Sequence, residues 1–201
     1  MGDASTLSRS SANPIRPSLS GRGSERGTCH GEGMATDQSP EICVRQASSD
    51  DMETLVEFNA AMARETEGKA LDLARLRAGV AAGLEQDGRG FYLVAELSGQ
   101  VVGQLLVTTE WSDWRNADFW WIQSVYVDPG HRRLGVYRTL HSHVLVEARR
   151  RHGVCGLRLY VDRDNHVARQ VYAGLGMQYS RYDMLEIDFV LEHQGLREEA
   201  R

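Results

Sequence analysis

The residues best equipped for chemistry lie in SVYVDPGHRRLGVYRTL, residues 124–140. A hydrophobic run ends there in Asp128-Pro129-Gly130, then Arg132, Arg133 and Gly135 lead into a helix-forming stretch. Successive backbone N–H groups at such a turn point outward beside the positive end of a helix dipole, so an anion can dock. The two arginines add charge, and Gly135 lets a ligand approach the main chain. The pattern is a phosphate cradle of its own kind: the chain carries neither G-x-x-x-x-G-K-[ST] nor G-x-G-x-x-G.

The elements that must position this turn follow from periodicity. A short strand around Ile42 and Val44 precedes a helix capped near Ser48–Asp50, with Met52, Leu55 and Val56 on its apolar face. A second helix starts near Asp72, with Leu73, Leu76, Val80 and Leu84 on one stripe. FYLVAEL (91–97), a Ser98-Gly99 turn and VVGQLLVTT (101–109) read as a hairpin. A polar and aromatic loop is expected over 110–118, and a strand over 119–127. A helix over about 135–152, a strand over 157–161, a helix capped by Asn165 and a last strand over about 179–189 complete the chain. Strands precede, alternate with and follow helices, so one α+β domain with a mixed sheet is expected.

Composition bounds the function. The 201 residues are 41% hydrophobic and 25% charged, as in an ordinary globular protein. No run of about 18 apolar residues occurs, so no membrane span is expected. A net charge of −5 disfavours broad nucleic-acid binding. The arginine triplet 149–151 fits a helix C-terminus, where cations offset the dipole. Cys29, Cys43 and Cys155 lack metal-like spacing and suit a reducing, cytoplasmic setting. His141 and His143, two apart on a helix, point in different directions, and no metal is expected. Residues 1–40 hold eight Ser, six Gly and no aromatic residue, and are expected to be a disordered tail. The domain is expected over 41–189 and a polar tail over 190–201.

Two blocks in order resemble the GNAT superfamily of acyl-CoA-dependent N-acetyltransferases. Val127-Asp128-Pro129, Arg132 and Gly135 resemble its pyrophosphate motif [QR]-x-x-G-x-[GA], with Tyr137 at the last position. NHVARQVYAGLGM (165–177) resembles its N-x-x-A-x-x-x-Y-x-x-x-G-F block, with Met177 for Phe. The resemblance covers about residues 41–189 and implies a GNAT-type fold, a mixed central sheet flanked by helices. It implies acetyl-CoA as co-substrate and a direct attack by an amine. An alkylammonium has a pKa near about 10 and must first lose a proton. The oxygen that gains charge needs a donor, and the leaving thiolate an acid.

The resemblance also distributes roles. The pantetheine arm would lie where strand 119–127 splays from strand 157–161, held by backbone of Val125, Tyr126 and Val127, with the Val125 N–H as oxyanion donor. Arg132, Arg133, Leu134, Gly135, Val136, Tyr137 and Arg138 would cradle the phosphates, and Asn165 would bond the arm or simply cap its helix. Tyr172, two turns after Asn165, matches the general acid. Glu110 is the first choice of general base, with Glu65, Glu67 and Asp113 as rivals. All four tryptophans fall between 111 and 121, as a substrate wall or as packing. The acidic residues 65, 67, 110 and 113 lean toward a cationic small-molecule amine as acceptor. A homodimer is open, and a catalytically silent acetyl-CoA sensor of the same fold is the alternative.

Overall fold

The computed structural model describes residues 41–85 and 88–190. The expected tail over 1–40, and all but the first residue of the one over 190–201, lie outside the described residues. The chain divides into two compact units, Met1–Tyr160 and Val161–Arg201.

In the first unit the order is β1 (Ile42–Gln46), α1 (Met52–Glu67), α2 (Leu73–Leu84), β2 (Gly90–Leu97), β3 (Gln100–Ser112), β4 (Ala117–Val127), α3 (Val136–Arg150) and β5 (Val154–Leu159). The sheet runs β1-β2-β3-β4-β5. Its first four strands are antiparallel, and β5 lies parallel to β4 after the α3 crossover. The mixed α+β sheet is the one expected.

Local chemistry sets the helix starts. Ser48 accepts from the Asp50 N–H while the Asp51 carboxylate accepts from the Ser48 N–H, a reciprocal cap just before α1. Asp72 accepts from the N–H groups of Ala74 and Arg75 and starts α2. Alternation along the strands then gives each face its own core. Leu93, Ala95, Leu105, Val107, Trp120 and Ile122 pack against Val136, Leu140, Val144 and Ala148 of α3. Leu55, Val56 and Val80 of α1 and α2 pack against Tyr92, Val94 and Leu106 on the other face.

Two sequence expectations change. The loop expected over 110–118 is mostly strand, because Trp111 pairs with Asp118 and Ser112 with Ala117, leaving a tight turn over 113–116. In the second unit α4 (His166–Gly174) forms behind its Asn165 cap, but no strand forms over 179–189. Leu185, Ile187 and Phe189 have the right period and stand 80–95% exposed. A two-residue period makes a segment able to pair, but a strand also needs a ladder partner to satisfy its N–H and C=O groups.

Candidate active site

The site is built on an irregularity in β4. Gln104 pairs with Tyr126 and Leu106 with Gln123, so Ser124 and Val125 together oppose Leu105. This is a bulge, with Ser124 in the left-handed region at φ 49°. Gln104 is fully buried, and its Nε2 donates to the Ser124 carbonyl at 3.3 Å, bracing the bulge from β3. Among the described residues its Oε1 has no hydrogen-bond partner. Sequence reasoning passed over Gln104, although a lone amide inside VVGQLLV was the available signal.

The bulge coincides with a parting of strands. β4 and β5 pair from Asp118↔Val154 to Ile122↔Leu159, and β4 then continues to Val127 without β5 beside it. Backbone groups of Val125 to Val127 on that edge therefore lie past the end of the parallel ladder. The side chains of Val125 and Val127 pack toward the α3 core.

The turn after β4 is shaped for an anion. The Asp128 carboxylate accepts from the Gly130 N–H and sits 2.6 Å from His131 Nδ1, which fixes the start of the turn. Arg133 and Gly135 are both left-handed, at φ 65° and 89°. A Cβ on Gly135 would meet no heavy atom within 4 Å, so the space above it is open. Val136 begins α3, and Leu134 and Arg138 are exposed. A Cβ on Gly103 would come within 2.8 Å of Val136, so the first turn of α3 is pressed onto β3. Tyr137 packs its ring near that of His141, whose imidazole is buried, and that burial pushes its pKa down. Among the described residues no group of three or more His, Cys, Asp or Glu could hold a metal ion.

The face of β3 and β4 on the α1 side carries two carboxylate–arginine pairs. Glu65 of α1 accepts from Arg132 Nη2 at 2.6 Å and from the Tyr126 hydroxyl at 2.8 Å. These bonds, Arg132 first, hold its carboxyl below the usual carboxylate range. Arg132 also donates to the Val127 carbonyl and lies over the Tyr126 ring. Burial first, then the Glu65 contact, pushes the Tyr126 phenol up. Farther along β3, where it pairs with Phe119, Glu110 accepts from the Trp121 indole N–H and from Arg158 Nη1. Burial pushes the Glu110 carboxyl up, but the Trp121 and Arg158 bonds outweigh it and leave it below the usual range. Thr108 and Gln123 fill the gap with a 2.6 Å side-chain bond.

The remaining expected residues are placed as follows. Glu67 pairs with Lys69, and Asp113 accepts from the Trp114 N–H within its own turn. Trp120 is buried in the α3 core, Trp121 lines the α1-side face, and Trp111 and Trp114 are exposed. In the second unit Asn165 Oδ1 accepts from the Ala168 N–H as a cap. Tyr172 lies on α4, and burial pushes its phenol up. Sequence reasoning missed Arg158, because its partner Glu110 lies 48 residues away and only the sheet joins them.

The comparisons agree with this architecture. A structure described as a possible acetyltransferase from Clostridium difficile 630 is similar at 41% identity and a TM-score of 0.70, covering 75% of this chain and 99% of that one. A predicted acetyltransferase with acetyl-CoA from Clostridium acetobutylicum shares the fold at 19% identity, TM-score 0.61, covering 77% and 100%. A ribosomal-protein-alanine N-acetyltransferase from Brucella melitensis biovar Abortus 2308 does so at 17%, TM-score 0.62, covering 75% and 100%. No curated protein matches the chain. The acetyltransferase (GNAT) family pattern runs through residues 52–177, from the start of α1 past the end of α4, and to that family the chain belongs.

Proposed function

We propose that the protein is an acetyl-CoA-dependent N-acetyltransferase acting by direct attack of a small-molecule amine. One observation carries the reading: the β4 bulge opens the strand edge where β5 ends, and the same strand runs on into an anion-shaped turn. The residues fit acetyl-CoA, since the open space above Gly135 and the left-handed Arg133 leave room for a pyrophosphate beside the start of α3. The C. acetobutylicum relative, described with acetyl-CoA, supports the same co-substrate. When bound, acetyl-CoA supplies an activated acetyl thioester.

The turn 132–138, with Arg132, Arg133 and Arg138, holds the phosphates, and the backbone of Val125 to Val127 holds the arm. The Val125 N–H donates to the oxygen that gains negative charge. Tyr172 gives the thiolate its proton, and its raised pKa keeps that proton in place at neutral pH. Glu110 stands opposite Phe119, five residues before Ser124, with its oxygens engaged by Trp121 and Arg158, so the ammonium proton reaches it only along a relay of waters on the α1-side face. The protein acts in the cytoplasm in this reading. Among the described residues no helix is long and apolar enough to cross a membrane.

A second reading, a silent acetyl-CoA sensor, draws on one fact: Glu65 and Glu110 are each paired with an arginine and held below the usual carboxylate range, which weakens both as bases. A thiol-release assay with acetyl-CoA across an amine library separates the two. Amine-dependent release is expected. Tight acetyl-CoA binding with no release by any amine would establish the sensor instead.

A further inference from the structure

Of the four acids that pointed toward a cationic acceptor, three are paired with cations in the folded chain. Glu65 is held by Arg132, Glu67 by Lys69 and Glu110 by Arg158. Of the three cations, Arg158 is the one set as a recognition element. Its guanidinium lies 3.7 Å from the Phe119 ring centroid and 5.7 Å from that of Trp121. Trp121 in turn packs on Tyr160 at 4.3 Å. The two rings hold the guanidinium in place, and the bond from Nη1 to Glu110 orients one of its edges. A guanidinium has five N–H donors around its edge. Among the described residues the Arg158 side chain makes no other hydrogen bond, and it is 35% exposed. An Arg that is flat, oriented and still donor-rich is matched to a planar two-oxygen anion.

Its position says which anion. Arg158 stands opposite Trp121 in the ladder, on the α1-side face with Glu110. Ser124 of the bulge lies three residues farther along β4, roughly 10 Å at strand rise. A group bound at Arg158 is therefore too far from the bulge to be the amine itself, yet close enough to belong to the same molecule.

We propose that Arg158 is a carboxylate subsite, and that the acceptor is an amine bearing a carboxylate several bonds away, as in an ω-amino acid or a dipeptide. The proposal rests on the acetyltransferase reading for the amine end. At the other end, the acceptor carboxylate takes the edge of Arg158 not used by Glu110, and the Trp121 indole N–H continues to satisfy Glu110. The carbon chain between the two ends runs alongside the packed Trp121–Tyr160 pair.

The test is a paired series: glycine, 4-aminobutyrate, 6-aminohexanoate and glycylglycine, each against the amine of matching length that lacks the carboxylate. Thiol release gives kcat/KM for every member. The carboxylate should raise kcat/KM about tenfold or more in the longer members and little in glycine, the shortest. Arg158→Gln should bring that ratio close to one, and Arg158→Lys, which keeps charge but loses the fork, should fall between. A wild-type ratio at or below one across the series, or a ratio unchanged in Arg158→Gln, overturns the subsite and leaves the acetyltransferase reading standing. A higher kcat/KM for 3-aminopropylphosphonate than for 4-aminobutyrate also overturns it, by assigning the fork to a phosphonate. If no amine releases thiol, tryptophan fluorescence of the CoA-saturated protein reports binding directly. Binding of 6-aminohexanoate that is lost in Arg158→Gln then upholds the subsite while the acetyltransferase reading fails. No binding of any carboxylated member overturns the subsite too.

Discussion

The two faces of β3 and β4 use the same strands for opposite ends. Toward α3, Leu105, Val107, Trp120 and Ile122 meet Val136, Leu140 and Val144 in an apolar core, all of them buried. Toward α1, the intervening positions Glu110, Thr108, Gln123, Trp121 and Tyr126 form a chain of hydrogen bonds and arginine pairs. One face supplies stability through area removed from water. The other carries charges that are half-exposed and so contribute little to stability. Residues one position apart on a strand should therefore differ in what they control.

The largest effect expected from that contrast is on the α3 face. Leu140→Ala should lower unfolding free energy by about 2–5 kcal/mol, because the fully buried side chain leaves a cavity. Denaturant unfolding measures it, and an effect below about 1 kcal/mol would show that this core is loosely packed.

Next comes the turn that both faces feed. In Arg132→Ala/Gly135→Asp the thermal shift given by acetyl-CoA should vanish, since a cation is lost and a like charge faces the phosphates. The left-handed φ of 89° at Gly135 also strains the variant itself, so the readout is the shift on adding ligand and not the melting temperature. A wild-type shift would move the phosphate site elsewhere.

Tyr172→Phe should lower kcat roughly 10²-fold with acetyl-CoA affinity retained, and alter the alkaline limb of the pH–rate profile. An unaltered kcat and limb would remove this hydroxyl from the proposed mechanism.

The smallest effect should come from Glu65. Its folded pKa is depressed by Arg132 and Tyr126, so its contribution is present above the unfolded pKa and is lost as pH falls through the folded value. Glu65→Gln should then cost at most about 1 kcal/mol at pH 7, given its exposure, and flatten the acid side of the stability–pH curve. A cost that persists at low pH would mean Glu65 acts by packing.

What sequence could reveal divides along the same line. The apolar runs of β2 to β4, the stripe of α3 and the turn at 128–135 are local patterns, and the structure has them where their periods and punctuation place them. The α1-side network is made of partners far apart in the chain: Glu65 and Arg132 are 67 residues apart, and Glu110 and Arg158 are 48. No local period encodes such a pair, so Glu65 and Glu110 looked like free acids in sequence and are arginine-paired in the fold. Gln104 escaped notice for the same reason, since its value lies in a carbonyl 20 residues away. The segment 179–189 failed in the opposite sense, having a local period but no partner strand among the described residues.

The bulge at Ser124 acts as a phase slip. Gln123 and Tyr126 share the α1-side face although they are three residues apart, because the extra residue is absorbed before alternation resumes. Were the same sequence drawn into a regular strand, Tyr126 would turn into the α3 core and Val125 and Val127 would face the α1 side. Were Ser124 deleted, every later side chain would keep its face, and only the bent main chain braced by Gln104 would be gone. Side-chain placement and main-chain presentation are thus separable on this strand, and Ser124 serves only the second.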